Sequence, residues 1–181
     1  MKTGNKRLIA LLCAVLILVG LVGCGAEQEP VKIERVHQAV FRDNFEQILA
    51  PIADDYTITE LPPVELDDGT QYRAISLKED IVDNQYYLRM YYDADGLLEL
   101  VLVDGNKKSG ANFSFAILSL YAYKSMGFEV EDVDAFYEEF AMLTPEPAGI
   151  KEINPGLTAH AHTYDDSVTF AIVYTDENAP E

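Results

Sequence analysis

Cysteine is almost missing from this chain of 181 residues, occurring only as Cys13 and Cys24. Beyond residue 24 there is no thiol. That excludes a disulfide, a cysteine-ligated zinc and a thiol nucleophile from the rest of the chain. Tryptophan is absent and histidine occurs three times. Basic residues are scarce: 13 Lys and Arg stand against 31 Asp and Glu, a formal net charge of -18. Binding a phosphate backbone needs clustered Lys and Arg, so nucleic acid is excluded as a partner. The same charge repels anionic lipid headgroups. Its plainest use is solubility and colloidal repulsion. No Gly-x-Ser-x-Gly elbow occurs, and there is no phosphate-cradling glycine loop and no His-Glu-x-x-His. Carboxylates are so numerous that no single pair of them points to acid–base chemistry. The expectation is a non-enzyme without a cofactor.

What is present begins at the N-terminus. Residues 1–7 carry Lys2, Lys6 and Arg7, and residues 8–22 are an uncharged apolar run of 15 residues. A basic start, an apolar stretch and a small residue at the cut site form a secretory signal peptide. The basic end stays on the cytoplasmic side. The apolar run is short for a membrane span, which needs about 20 residues. Leu21-Val22-Gly23-Cys24 resembles the lipobox of bacterial lipoproteins. The resemblance covers only residues 1–24, but it is specific there. It implies cleavage before Cys24, with a diacylglyceryl group on its sulfur. A thiolate is the strong nucleophile suited to that alkylation, and two or more acyl chains are needed for stable anchoring. The implied location is the outer face of the bacterial cytoplasmic membrane, with periplasmic or outer-membrane placement left open by the same signal.

Cleavage at that point leaves 158 residues with 10 basic and 31 acidic side chains, a net charge of -21. This is the size of one domain, able to bury roughly 70% of its unfolded surface without staples. The expected organisation is residues 1–23 as signal peptide and 24–30 as lipidated end and short tether. A single domain over 31–175 and a fraying end over 176–181 complete it. The six residues after Cys24 reach at most about 20 Å, which holds the domain close to the bilayer.

Within the domain, apolar residues at helical spacing (Val36, Val40, Phe41, Phe45, Ile48, Leu49) predict a helix over 33–50, closed by Pro51. Strands follow at 56–60, 72–77, 86–92 and 97–103. Asp93-Ala94-Asp95-Gly96 joins the last two as a hairpin. Residues 113–126 are apolar nearly all round, which marks a deeply buried helix ending at Gly127. Val133, Phe136, Phe140 and Leu143 predict a second, amphipathic helix. Two strands, 157–164 and 168–174, close the chain. The order is one helix, four strands, two helices, two strands. This is the pattern of an α+β fold, an antiparallel sheet of about six strands with one face on helices.

Three features are candidate sites. Alternation along 86–92 puts Tyr87, Arg89 and Tyr91 on one face, away from the core-like Tyr86, Leu88, Met90 and Tyr92. Tyrosine combines apolar area with a polar handle, so the first set forms a candidate binding face. Cross-strand tyrosine pairs also simply stabilise sheets. His160 and His162 share a face two residues apart. They are a weak candidate for a divalent metal such as zinc, needing a third ligand from elsewhere, for which His37 is the only other imidazole. The plainer reading is a polar strand face opposite Leu157, Ala159 and Ala161. Asp93-x-Asp95-Gly96 shares its spacing with the start of a calcium loop but departs from it at both ends, with Tyr91 and Leu102 where oxygen ligands belong. A hairpin turn is the better reading.

The functional expectation is a binding or interaction module held at the membrane surface through Cys24. Its partner would be a protein, a wall polymer or a small ligand. Alternatives are a small-ligand carrier with an apolar pocket against the 113–126 helix, and a metal-dependent activity at His160 and His162. Cys24→Ala is expected to abolish lipidation. Labelling cells with a clickable fatty acid checks this, and equal labelling of the variant would remove the lipoprotein reading.

Overall fold

A computed structural model describes residues 34–79, 84–106, 112–154 and 156–175. The expected signal peptide, the expected tether with Cys24, and residues 176–181 lie outside the described residues. The first helix, α1, runs Gln38–Leu49, and His37 caps it, its Nδ1 accepting from the Ala39 N–H at 3.2 Å. Phe41, Phe45 and Leu49, four residues apart, are its buried stripe. The stripe is narrower than the sequence suggested, since Val40 is 54% exposed. The helix also starts later than residue 33. Instead His37 bridges to Leu97, flanked by bonds from the Gln38 N–H to the Gly96 carbonyl and from the Leu98 N–H to the Val36 carbonyl. Arg35 fastens that junction, donating to the carbonyls of Leu98 (2.8 Å) and Leu97 (2.6 Å) and pairing with Asp93 at 3.0 Å. A 3-10 turn, Ala50–Asp55, follows around Pro51.

The strands are β1 (Tyr56–Glu60), β2 (Val64–Glu65), β3 (Gln71–Glu79), β4 (Gln85–Tyr92), β5 (Leu98–Asn106), β6 (Gly149–Asn154), β7 (Leu157–Thr163) and β8 (Ser167–Tyr174). All pairings are antiparallel, in one open sheet of order β1-β3-β4-β5-β8-β7-β6, with β2 added beside β3. The α+β class stands. Among the described residues the count of about six strands is corrected to eight, and the order to one helix, five strands, two helices and three strands. The two strands missed are short or at an edge. β2 spans two residues after the Pro62-Pro63 break, and β6 pairs only with β7. β2 lacks the length, and β6 (Gly-Ile-Lys-Glu-Ile-Asn) the apolar alternation, that reveals a strand in sequence.

Helix α2 (Asn112–Ser125) and helix α3 (Val133–Glu139) lie between β5 and β6. Leu118 and Leu120 are 1% and 6% exposed, as expected for a helix apolar nearly all round. Gly127, at φ +90°, ends the α2 segment, its N–H bonding the Lys124 carbonyl at 3.0 Å. The Asn44 side chain of α1 donates to the Ser125 carbonyl at 3.2 Å, tying the two helices. α3 is shorter than expected. Ala141 turns the chain into the left-handed region (φ 47°) and leaves Leu143 exposed beyond the helix. Phe136 and Phe140 still anchor it, in a ring cluster with Phe170 of β8 at centroid distances of 5.2, 5.3 and 6.0 Å. Such aromatic pairs add to area burial. The core therefore lies on one side of the sheet. Leu88, Met90, Val101, Val103, Phe170 and Ile172 point into the helix layer and are at most 1% exposed.

Leu118→Ala is expected to destabilise the fold by about 2–5 kcal/mol, the usual cost of a buried Leu truncation. Urea unfolding followed by circular dichroism checks it; an unchanged midpoint would contradict the central place of α2.

Candidate functional site

The register assigns every strand residue to one of two faces, because directly opposed residues lie on the same side. Tyr87 stands opposite Ser76, Asp104 and, one strand further, Thr169. Arg89 stands opposite Ala74, Leu102 and then Ala171. Tyr91 stands opposite Tyr72, Leu100 and then Val173. Across β8 these rows continue to His162, His160 and Thr158 of β7. The three residues of β4 and both histidines thus share the face that the described helices leave uncovered. The tyrosines and Arg89 are half-buried and His162 is exposed. Three strand steps separate them, about 14 Å at the usual spacing.

The chemistry is densest around Arg89. Its guanidinium pairs with Asp104 at 2.9 Å and lies 5.5 Å from the centroid of the Tyr87 ring. Asp104 also accepts from the Thr169 hydroxyl at 3.2 Å. Burial pushes the Asp104 carboxyl up from its ordinary value, and Arg89 and Thr169 pull it back only in part. Gln85, Tyr87, Arg89, Asp104, Asn106 and Ser167 line a shallow cavity of about 250 Å³. A wider depression of about 640 Å³ adjoins it through Asn106 and Ser167 and extends over Asp165 and Asp166 at the β7–β8 turn. Tyr72 and Tyr91 stack at 5.4 Å with their planes 25° apart. Sequence reasoning missed Asp104 and Tyr72. The signal for Asp104 was there, as the first carboxylate after Val101-Leu102-Val103. Tyr72 became visible only through its pairing with Tyr91.

His37 does not join the other two histidines. It caps α1 and packs on the β4–β5 hairpin, where its ring fills the space a Cβ on Gly96 would need. Leu97, its bridge partner, precedes β5 and lies seven residues before Asp104, the residue in the row of His162. Among the described residues no group of three or more His, Cys, Asp or Glu is placed to hold a metal ion. His162 instead packs edge-on against Tyr164, with centroids 4.7 Å apart. The Asp93-x-Asp95-Gly96 segment is a turn. The Asp93 carboxylate accepts from the N–H groups of Asp95 and Leu97, each at 3.0 Å, and pairs with Arg35. Gly96 takes φ +79°.

One polar cluster on the helix side was not anticipated. Glu79, at the end of β3, is 8% exposed and accepts from Asn84 at 2.8 Å and from the Ser114 hydroxyl in the first turn of α2. Tyr56 and Tyr86 adjoin it, and burial, followed for Tyr86 by the Glu79 charge, pushes their phenol groups up from the usual value. Ser114 has a carboxylate acceptor and no imidazole base among these neighbours. The cluster's evident work is to satisfy a buried carboxylate near a helix N-terminus, where negative charge is favoured. Between helices and sheet, the rings of Phe136, Phe140 and Phe170 pack against one another. No helix of the described residues is long and apolar enough to cross a membrane. No family of known sequences, no curated protein and no solved structure matches the chain.

Burial, and then the neighbouring His162 charge, holds the His160 imidazole below its ordinary value. The unfolded chain therefore takes up this proton first. The stability linked to His160 is present above about pH 6.5 and is lost as pH falls from there through the lower folded value. His160→Gln is expected to lose less stability than the parent between pH 7.5 and pH 5. Denaturation midpoints at the two pH values check it, and identical losses would contradict it.

Proposed function

We propose that this chain is an extracytoplasmic lipoprotein, held through Cys24. Its folded domain is then a non-enzymatic binding module working through the helix-free face of the sheet. The observation that carries the reading is the one-sided sheet. Helices bury one face, while the other presents Tyr72, Tyr87, Tyr91 and the Arg89–Asp104 pair half-exposed beside an open cavity. Tyr and Arg are the side chains that anchor recognition surfaces, since each combines large contact area with directed hydrogen bonds. Asp104 adds support. A carboxylate held above its ordinary value weakens the fold at neutral pH, and such costs gather where a surface serves recognition. The lipobox resemblance supports the anchor. The acidic surface leaves attachment to the acyl chains rather than to headgroup attraction.

The test is capture by chemical crosslinking in intact cells followed by purification, comparing the parent with an Arg89→Ala/Tyr91→Ala variant. Molecules bound through this face are expected to drop at least tenfold in the variant while the anchored protein stays at its normal level. An unchanged captured set would move the binding function elsewhere on the domain.

A further inference from the structure

The helix-free face carries a continuous apolar row. Val64, Tyr72, Tyr91, Leu100, Val173 and Thr158 stand opposite one another in successive pairs across β2, β3, β4, β5, β8 and β7. The adjacent row ends at Ile150 of the edge strand β6, which is 80% exposed. On these rows and the next, the full charges among the described residues are Arg89 and its partner Asp104, which cancel, and Glu152, opposite Thr158 on the edge strand β6. Near-neutral apolar area of this extent is unusual on a chain with a net charge of -18, and large exposed apolar patches mark docking sites.

We propose that a second copy of this chain covers the face, the two sheets packing face to face in an isologous dimer. This rests on the helix-free face being the binding face. Three observations select a second copy. The first is charge placement. Asp43 and Glu46 of α1 and Asp134, Glu138 and Glu139 of α3 are exposed on the helix side. Facing sheets pack about 10 Å apart with helices roughly 10 Å behind each, so the two helix layers lie about 30 Å apart, several times the ~8 Å screening length. An acidic chain can thus meet its own copy through this face with little repulsion, whereas a cationic partner finds its counter-charge on the other side.

The second observation is area. Seven strands at about 4.8 Å by three rows at about 6.7 Å give roughly 600 Å² per copy before side-chain relief, near the ~800 Å² of a standard interface. The third is symmetry. With the two-fold axis over the central strand β5, Leu100 meets its own copy and the Tyr72–Tyr91 pair meets Val173 and Thr158 of the second copy, placing aromatic anchors on both sides of the axis. A two-fold axis along the strands also keeps both Arg35 junctions, where the chain joins the sheet beside the β4–β5 hairpin, at one end of the pair. Two copies anchored in one bilayer need that arrangement.

The experiment uses the full chain in intact cells, with a photo-crosslinking benzoylphenylalanine at Leu100 or, as control, at Glu138 on α3. Two differently tagged copies are co-expressed. Irradiation is expected to give a species of twice the mass containing both tags from the Leu100 position and not from Glu138. Val173→Asp, burying a charge against Tyr91 of the second copy, should reduce it at least tenfold. Thr158→Asp, nearer the edge, serves the same purpose if the first variant fails to fold, as read by circular dichroism. Adducts to a different protein would overturn the dimer while leaving the binding face in place. Adducts only within one chain would overturn the dimer by assigning the face to a segment of the same molecule. No adduct from Leu100 would overturn both the dimer and the binding face.

Discussion

The antiparallel register through β4, β5 and β8 is the constraint on which the rest depends. Side chains along a strand alternate with period two, so a slip of one residue would exchange the faces of a whole strand. In the observed register Leu88 and Met90 enter the helix layer with Val101, Val103, Phe170 and Ile172. A one-residue slip of β4 would instead drive Arg89 into that layer, away from Asp104. An uncompensated buried charge of that kind is strongly destabilising. Core packing and the ion pair therefore specify the same alignment from opposite sides of the sheet.

The two faces are built on different principles. On the helix side, the rings of Phe136, Phe140 and Phe170 interlock with α2 and α3 at close-packed distances. The buried carboxylate there among the described residues, Glu79, is met by Asn84 and Ser114. On the far side, large side chains lie over one another rather than against a second layer: Tyr72 on Tyr91, Arg89 by Tyr87. They shield each other enough to desolvate Asp104 and His160, yet keep an outer surface. A partly dried, charge-balanced surface of aromatic and aliphatic groups is suited to closing against something else. That suitability connects the sheet's architecture to the function proposed for it.

Much of this was legible in the residues. Period-two alternation separated Tyr87, Arg89 and Tyr91 from the core set on β4, and His160 and His162 from Leu157, Ala159 and Ala161 on β7, because each strand has one dry side. The all-round apolar character of α2 declared its burial, and Gly96 and Gly127 marked turns that need positive φ. These are local properties of a segment. The helix boundary at His37 was not legible, because residues 35–37 are held by the β4–β5 hairpin, and no local signal reports a backbone bridge to Leu97. β2 and β6 were missed for the same reason: each is a strand only because a neighbour offers hydrogen bonds.

By itself the sequence determined the segments, their dry and wet sides, the acidic balance, and a signal-like N-terminus ending in Cys24. Composition and periodicity are written residue by residue and need no partner to be read. Only the tertiary structure decided that β8 lies beside β5 rather than at an edge, and that places β7 and its histidines on the same face as Arg89 and the tyrosines. It likewise joined Asp104 to Arg89 across two strands and set His37 apart at the hairpin. Strand order depends on which pairings let every apolar side reach one common core, a sum over the whole chain that no single segment contains.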